Sequence, residues 1–223
     1  MNDCARCPLK KNDRICFNKN GQIPRECTTM MHLKQIEEAG NEYTNDEKIH
    51  EFAKQACIQE ATCYKLLEDN STMPLKPRLL EIVEFCQRMG YKKLGLAFCA
   101  GLIPESKALA DFLEGYGFEV VSAICKVGTV DKCYLGLKQE EKIRPDKHET
   151  MCNPIAQAYI LNKEKTDFNI LMGLCVGHDS LFIKYSEAMC TVFAVKDRLL
   201  GHNPMAAIYN IDTYYKYLKN KKK

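Results

Sequence analysis

The chain has 223 residues, of which 46% are hydrophobic, and this is enough for one sizeable core. Its formal net charge is only +3 and is spread along the chain, so the composition gives no support for nucleic-acid binding. No apolar run approaches the ~20 residues needed to cross a bilayer, and the first residues lack the apolar core of a secretory signal. We therefore expect a cytoplasmic protein that binds neither membranes nor nucleic acid.

Cysteine is unusually frequent, with 13 residues. The number is odd, and the chain is much larger than the small domains that depend on disulfides. In a reducing cytoplasm, thiolates at ligand spacing indicate metal binding or catalysis. Other cysteines, with Cys86 and Cys190 as first candidates, are expected to pack in the core as small apolar side chains.

Residues 1–43 form a predicted Cys-rich metal-binding segment with four cysteines, Cys4, Cys7, Cys16 and Cys27. Two cysteines separated by two residues direct both sulfurs towards one ion, and two more thiolates complete a tetrahedral or cubane ligand shell. We predict an iron-sulfur cluster here, of the 4Fe-4S type, with zinc as the alternative. The segment has little apolar periodicity, so the metal would also order it.

Residues 44–90 are predicted to be a helical segment packed on the core. Apolar residues recur at threes and fours from Thr44 as far as Leu67, with Asn45 or Thr44 as the cap of this first helix. A second helix is expected from Lys76 to Met89. Cys57 and Cys63 are six residues apart on the first predicted helix. They therefore lie about 240° apart around its axis and cannot both face one ligand.

Residues 91–215 show short apolar runs that alternate with helical patterns. Strands are predicted at 94–98, 118–124, 168–174 and 191–195. We therefore predict an α/β fold with a mainly parallel four-stranded sheet flanked by helices in Rossmann-like layers. The charged segment 126–151 reads as a functional lid or a disordered insertion, and 216–223 as a basic, solvated tail.

A second group of cysteines falls at the predicted strand ends. Cys99, Cys125 and Cys175 each end a strand, and Cys152 precedes the helix that leads into the third. Since all strands of a parallel sheet end at the same edge, where α/β sheets bind ligands, we expect these four thiols to meet. They would serve as cofactor ligands or as a nucleophile. Alternatively, they are core residues that replace valine.

Charged residues flank the same edge. Lys126 and Lys196 are predicted to bind anionic groups, and His178 or Asp179 to move protons, so we assign these four as candidate catalytic residues. Asp179 is equally suited to cap a helix. The expected substrate is a small anionic or sulfur-containing molecule.

Several segments together resemble the domain of unknown function 1847 family, whose members are uncharacterised, cysteine-rich and predicted to bind metal. The segments are Cys4-Ala5-Arg6-Cys7, Ile124-Cys125-Lys126-Val127-Gly128, Met151-Cys152-Asn153-Pro154-Ile155, Gly173-Leu174-Cys175-Val176-Gly177-His178-Asp179, Val195-Lys196-Asp197-Arg198 and Gly201-His202-Asn203-Pro204. The resemblance implies metal binding and an anaerobe-like prokaryotic source. It implies no particular reaction.

The leading hypothesis is an iron-sulfur protein whose second, thiolate-lined site carries redox or sulfur-transfer (desulfurisation) chemistry. The alternative is a non-catalytic zinc or soft-metal carrier, sensor or scaffold. A metal-free thiol oxidoreductase is less well supported, because the C-x-x-C sequence lies in the polar N-terminal segment. No phosphate-binding glycine motif supports nucleotide binding.

Overall fold

The computed structural model describes residues 3–220, so residues 221–223 of the predicted basic tail lie outside the described part. The chain forms two compact units, one ending at Thr62 and the other beginning at Cys63. No helix within residues 3–220 is long and apolar enough to cross a membrane.

The first unit contains short 3-10 turns followed by three helices. The helices are α1 (Thr28–Met31), α2 (Leu33–Asn45) and α3 (Glu47–Thr62). The residue that caps α3 is Asp46, not Thr44 or Asn45, since its carboxylate accepts the backbone N–H groups of Lys48 and Ile49 at 2.8 and 3.1 Å. Helix α3 also ends before Tyr64 and Leu67, which the apolar spacing had placed on it.

The second unit contains the remaining elements. Its strands are β1 (Tyr64–Leu66), β2 (Thr72–Pro74), β3 (Lys93–Phe98), β4 (Glu119–Ile124), β5 (Phe168–Leu174) and β6 (Cys190–Val195). Its helices are α4 (Arg78–Arg88), α5 (Ile103–Gly115), α6 (Pro154–Lys163), α7 (His178–Tyr185) and α8 (Met205–Tyr209). Strands β1 and β2 form an antiparallel hairpin that the sequence analysis did not predict.

The main sheet confirms the predicted fold class. Its strand order is β4-β3-β5-β6, and all three pairings are parallel. The chain runs from β3 outwards to β4, and then returns through α6 to β5 on the other side of β3. The point at which the strand order reverses therefore lies between β3 and β5, and ligands of open α/β sheets bind at such points.

The sheet is the centre of the core. Every residue of β5 is buried, and the largest fully buried apolar side chains include Phe182, Leu94 and Leu161. Strands β3 and β5 approach closely at Gly95, where a Cβ atom would lie 1.9 Å from the Asn169 side-chain oxygen. The sheet is thus a rigid platform for the residues that follow its strands.

The charged segment 126–151 is folded back on itself. Its two ends pair at Asp131 and Thr150, and the backbone N–H of Met151 donates to the Val130 carbonyl at 2.8 Å. The buried Lys142 ammonium contacts the Asp131 carboxylate at 3.1 Å. Hydrogen bonds from the backbone N–H groups of Cys133 and Glu149 hold the Asp131 pKa far below its usual range.

Candidate functional site

The two buried thiols of the strand-end site are placed by the ends of β3 and β4. The backbone N–H of Cys99 donates to the Met172 carbonyl at 3.0 Å, and that of Cys125 donates to the Phe98 carbonyl at 2.8 Å. Both side chains are buried, 8% and 3% exposed, and both belong to one apolar cluster with Leu174. The parallel ladder therefore fixes both positions.

Gly173 makes room for the loop that follows β3. Its φ is +68°, a conformation that other residues rarely adopt, and a Cβ atom there would lie 2.2 Å from a Leu102 methyl carbon. The same Cβ would lie 3.9 Å from that of Cys99. A glycine at this position thus lets the loop after β3 close over the end of β5.

Cys152 completes a pair of thiols with Cys125. The two sulfurs lie 3.9 Å apart, within hydrogen-bond distance for sulfur. Cys152 is half-buried, and the backbone N–H of the next residue, Asn153, donates to the Cys125 carbonyl at 2.8 Å. Asn153 then caps α6, because its side chain accepts the backbone N–H of Ala156 at 3.1 Å. The start of α6 therefore holds Cys152 against Cys125.

The surroundings of the two sulfurs favour the thiolate on Cys152 and the proton on Cys125. A hydrogen bond from the Cys125 thiol, together with the positive charges of Lys126 and His178, lowers the pKa of Cys152 to about 5. The adjacent Cys152 thiolate and burial raise the pKa of Cys125, although the N–H of Ala100 opposes this through a 3.3 Å contact with its sulfur. Because Cys152 is the less buried sulfur and lies nearer the cations, the thiolate belongs there.

Three cationic side chains, Lys126 among them, lie at the same edge of the sheet. The Arg198 guanidinium donates to the Cys175 sulfur at 3.1 Å. The Lys196 ammonium lies over the backbone of Gly101, 3.1 Å from the place where a Cβ would be. The Lys126 ammonium donates to the Thr150 carbonyl. Within residues 3–220, none of these three cations forms an ion pair with a carboxylate.

The two acidic residues nearest in sequence to these groups bind backbone. Asp179 accepts the N–H of Ser180 at 2.8 Å, and Asp197 accepts the N–H groups of Leu199 and Leu200 at 3.1 and 2.8 Å. Among the described residues, no contact supports the candidate proton-transfer role of Asp179. Asp179 is not the cap of α7 either, because the cap residue is Gly177 and Asp179 lies in the first turn of the helix. His178 has a buried Nδ1 atom without a hydrogen-bond partner in the described chain.

The four N-terminal cysteines line one cavity of about 400 Å³ in the first unit. The Cys4 thiol donates to the Thr28 hydroxyl at 3.0 Å. Cys27 directly precedes α1, where the backbone N–H groups of Met30 and Thr29 lower the pKa of its thiol. The sulfurs that the sequence grouped by spacing are therefore grouped in space around one cavity.

Side-chain and backbone hydrogen bonds order this segment. The Arg14 guanidinium donates to the carbonyls of Leu9 and Cys7 at 2.9 and 3.3 Å. A Cβ on Gly21 would lie 2.4 Å from the Arg14 carbonyl carbon, so that only glycine permits the approach. None of residues 3–27 is buried. The segment thus has defined turns and no apolar core.

The donor chemistry of this cavity suits a soft metal or an iron-sulfur cluster, both of which take thiolates. Within residues 3–220, however, no three Cys, His, Asp or Glu side chains are spaced closely enough to hold a single ion. A zinc ion held by these four cysteines would require all four sulfurs at about 2.3 Å from one point. In an iron-sulfur cluster each cysteine sulfur binds a different iron atom, so the cysteine sulfurs lie farther apart than they do around a single ion.

One residue of the strand-end site was not among the sequence candidates. Arg198 lies two residues beyond Lys196, after the end of β6. This position, at the same strand end as Lys196, is the feature of the sequence that could have identified it. Of the predicted thiols, Cys99, Cys125 and Cys152 pack in one cluster, whereas Cys175 contacts Arg198. The predicted packing role of Cys86 agrees with its complete burial.

The fold and the site together define a doubly wound α/β protein with a thiol cluster, and with cations that no carboxylate of the described chain pairs, at the edge where open α/β sheets bind ligands. A family model described as "Protein of unknown function (DUF1847)" matches residues 27–193. An uncharacterised protein of Methanocaldococcus jannaschii is 43% identical over 218 residues, which cover 98% of this chain and 99% of the relative. The chain therefore belongs to the domain of unknown function 1847 family, as its motifs had indicated.

Proposed function

We propose that this is a metal-binding thiol protein with two centres: an iron-sulfur cluster on the N-terminal cysteines, and a strand-end dithiol that performs redox or sulfur-transfer chemistry. The observation that carries the second part is the Cys152–Cys125 pair. A thiolate is the reactive form of cysteine, and Cys152 has both a hydrogen-bond donor and nearby cations to stabilise it. A purely structural cysteine requires neither.

In this proposal the pair acts as a dithiol that closes to a disulfide. The sulfurs lie 3.9 Å apart, and a disulfide bond requires about 2.05 Å, so a small side-chain movement joins them. Cys152 would attack a substrate and Cys125 would resolve the product. The Cys125 thiol is well suited to the second role, since it is buried behind Cys152 and keeps its proton until Cys152 has reacted.

Alkylation tests this assignment directly. The anaerobically purified protein is treated with iodoacetamide between pH 4 and 9, and each cysteine peptide is quantified by mass spectrometry. We expect the modification rate of Cys152 to rise with pH through about 5 and then to level, because its thiolate is the nucleophile. Glutathione is the free-thiol standard, and the exposed Cys57 provides a control variant, Cys57→Ala, with an unchanged profile. A Cys152 profile like that of glutathione would refute the reactive-thiolate assignment.

The first part of the proposal is supported by four cysteines around one cavity in a segment without buried residues. Such a segment gains its order from the bound metal. Anaerobic purification followed by iron, zinc and acid-labile sulfide analysis tests it. Iron and sulfide in equal amounts are expected, together with charge-transfer absorption in the visible range. Stoichiometric zinc without sulfide would replace the cluster with a structural zinc site.

A further inference from the structure

Three cationic side chains of the strand-end site form no ion pair with a carboxylate of the described chain. Lys126, Lys196 and Arg198 all lie at this edge, and no carboxylate in residues 3–220 pairs with any of them. The nearby Asp179 and Asp197 are held by backbone N–H groups. Lys126 stabilises the Cys152 thiolate, and Lys196 and Arg198 are left without a carboxylate partner among the described residues, beside an anionic ligand position.

Two further features favour a ligand at this position. The site lies at the reversal of strand order between β3 and β5, where open α/β sheets bind small molecules. The Nδ1 atom of His178 is buried without a partner at the start of α7, and a polar ligand or its bound water would satisfy it. The cations, the thiolate and the unpaired imidazole nitrogen therefore all follow the carboxyl ends of the strands, at one edge of the sheet.

We propose that this site binds an anionic sulfane-sulfur donor, a thiosulfate or polysulfide ion, and transfers its terminal sulfur to Cys152. The inference rests on the reactive-thiolate function proposed above and names its substrate class. Lys196 and Arg198 bind the anionic end of the donor. Arg198 is suited to this because its guanidinium can bind two oxyanion oxygens at once while it remains close to Cys175.

The first step conserves atoms and charge. The Cys152 thiolate attacks the terminal sulfur of thiosulfate, the S–S bond of the donor breaks, and sulfite departs with the bonding electron pair. Cys152 then carries a persulfide. With a polysulfide, the leaving group is the chain shortened by one sulfur.

The second step uses the neighbouring thiol. Cys125, 3.9 Å away, attacks the Cys152 sulfur, an intramolecular disulfide forms, and the outer sulfur leaves as hydrosulfide with the proton of the Cys125 thiol. The two cysteines are oxidised and the sulfane sulfur is reduced. Return to the dithiol requires an external dithiol reductant, for which dithiothreitol serves as the probe.

The experiment uses the full chain, reduced and purified anaerobically, with sodium thiosulfate and sodium tetrasulfide in separate reactions. We expect a gain of one sulfur atom in the Cys152 peptide, then release of one hydrosulfide per chain without reductant, and continued release above a protein-free control once dithiothreitol is added. The Cys125→Ala variant should keep the persulfide and release no hydrosulfide on this route. Reaction with one donor only would identify which anion the site accepts.

The anion-binding role is tested separately with Lys196→Met and Arg198→Gln. Relative to iodoacetamide, which is uncharged, the rate with the anionic donor should fall about tenfold for each variant, and should also fall with added salt. Lys107→Met removes one positive charge from the exposed face of α5 and should leave this ratio unchanged. Circular dichroism establishes that each variant is folded.

The outcomes separate the two proposals. If Cys152 is alkylated at low pH and gains no sulfur from either donor, the substrate class is wrong and the reactive thiolate stands. If Cys152 shows no low-pH alkylation, the underlying function is wrong as well. Uncharged dimethyl trisulfide is the final control: equal losses with it and with thiosulfate in the Lys196 and Arg198 variants would overturn the anion-binding role.

Discussion

The protein carries two sets of four cysteines in regions of opposite construction. Around Cys4, Cys7, Cys16 and Cys27 no residue between 3 and 27 is buried, and the sulfurs line an open cavity. At the strand ends, Cys99 and Cys125 are buried in the main core, next to a strand whose every residue is buried. In the first region the cysteines would have to create order, whereas in the second an existing fold determines where the cysteines lie. Cysteines of the first set would therefore stabilise their segment through a bound metal, whereas those of the second set depend on a sheet that is stable without them.

Removal of the metal should have the largest effect, and on the N-terminal segment alone. Treatment with a chelator under anaerobic conditions, or the Cys4→Ser/Cys7→Ser double variant, should abolish amide hydrogen-exchange protection in residues 3–27, because no apolar core remains to order them. Protection in β3 and β5 should stay within about twofold of the native protein. Cys57→Ser is the matched control. Retained protection in residues 3–27 would show that this segment folds without metal.

The Gly95→Ala substitution should destabilise the sheet of the second unit and leave the N-terminal segment unchanged. Its methyl group would meet the Asn169 side chain, which is held by Thr166 at 2.8 Å and Ser186 at 2.7 Å. We expect a loss of about 1–3 kcal/mol in the free energy of unfolding of the second unit, as is typical of overpacked cores. Denaturant melts monitored by circular dichroism measure it.

Gly115→Ala, at the end of α5, is the control for this substitution. A Cβ there meets nothing within 4 Å, so this variant should be neutral or slightly stabilising. Equal stability of the two alanine variants would mean that the approach of β3 to β5 is looser than described.

The Cys125→Ala substitution should change reactivity with little effect on fold. It removes the hydrogen-bond donor to Cys152, so the pKa of Cys152 should rise from about 5 towards the ordinary thiol value. At pH 6 the thiolate fraction falls by roughly 300-fold while its nucleophilicity rises, so we expect the alkylation rate to fall by about tenfold. An unchanged rate would assign the low pKa to Lys126 and His178 alone.

The smallest effect is expected at Cys86, which is fully buried in α4. Burial, with a minor contribution from Asp167, raises the pKa of this thiol to about 12. Cys86 should therefore resist iodoacetamide in the native protein at pH 8 and react only after denaturation, whereas the exposed Cys57 should be modified at once. Native-state modification of Cys86 would indicate local opening of α4.

The sequence allowed the sheet to be predicted because its signals are local. Apolar runs such as Phe168–Leu174 are continuous, and the proline and glycine residues between them mark the helix ends. Once four parallel strands are predicted, the placement of Cys99, Cys125 and Cys175 at one edge follows from topology alone. The prediction of thiol positions was thus a consequence of the fold prediction.

Other features depend on contacts that no local pattern encodes. Tyr64 and Leu67 fit a helical spacing, yet the turn at Asn70, with φ of +62°, pairs this stretch with β2 instead. The sulfur–sulfur contact of Cys152 with Cys125 joins residues 27 positions apart. Arg198 gains its importance only when the end of β6 reaches Cys175. Spacing along the chain does not predict contacts between residues that are this far apart in sequence.

The folded segment 126–151 connects the two members of the reactive pair, since Cys125 precedes it and Cys152 follows it. Its base is closed by the pairing of Asp131 with Thr150 and of Val130 with Met151. The separation of the two sulfurs is therefore controlled at the base and is insensitive to the length of the tip. Relatives that keep the contact of Lys142 with Asp131 could gain or lose other residues between 134 and 147 and keep the same thiol chemistry, whereas a single insertion at 127–130 would separate the sulfurs.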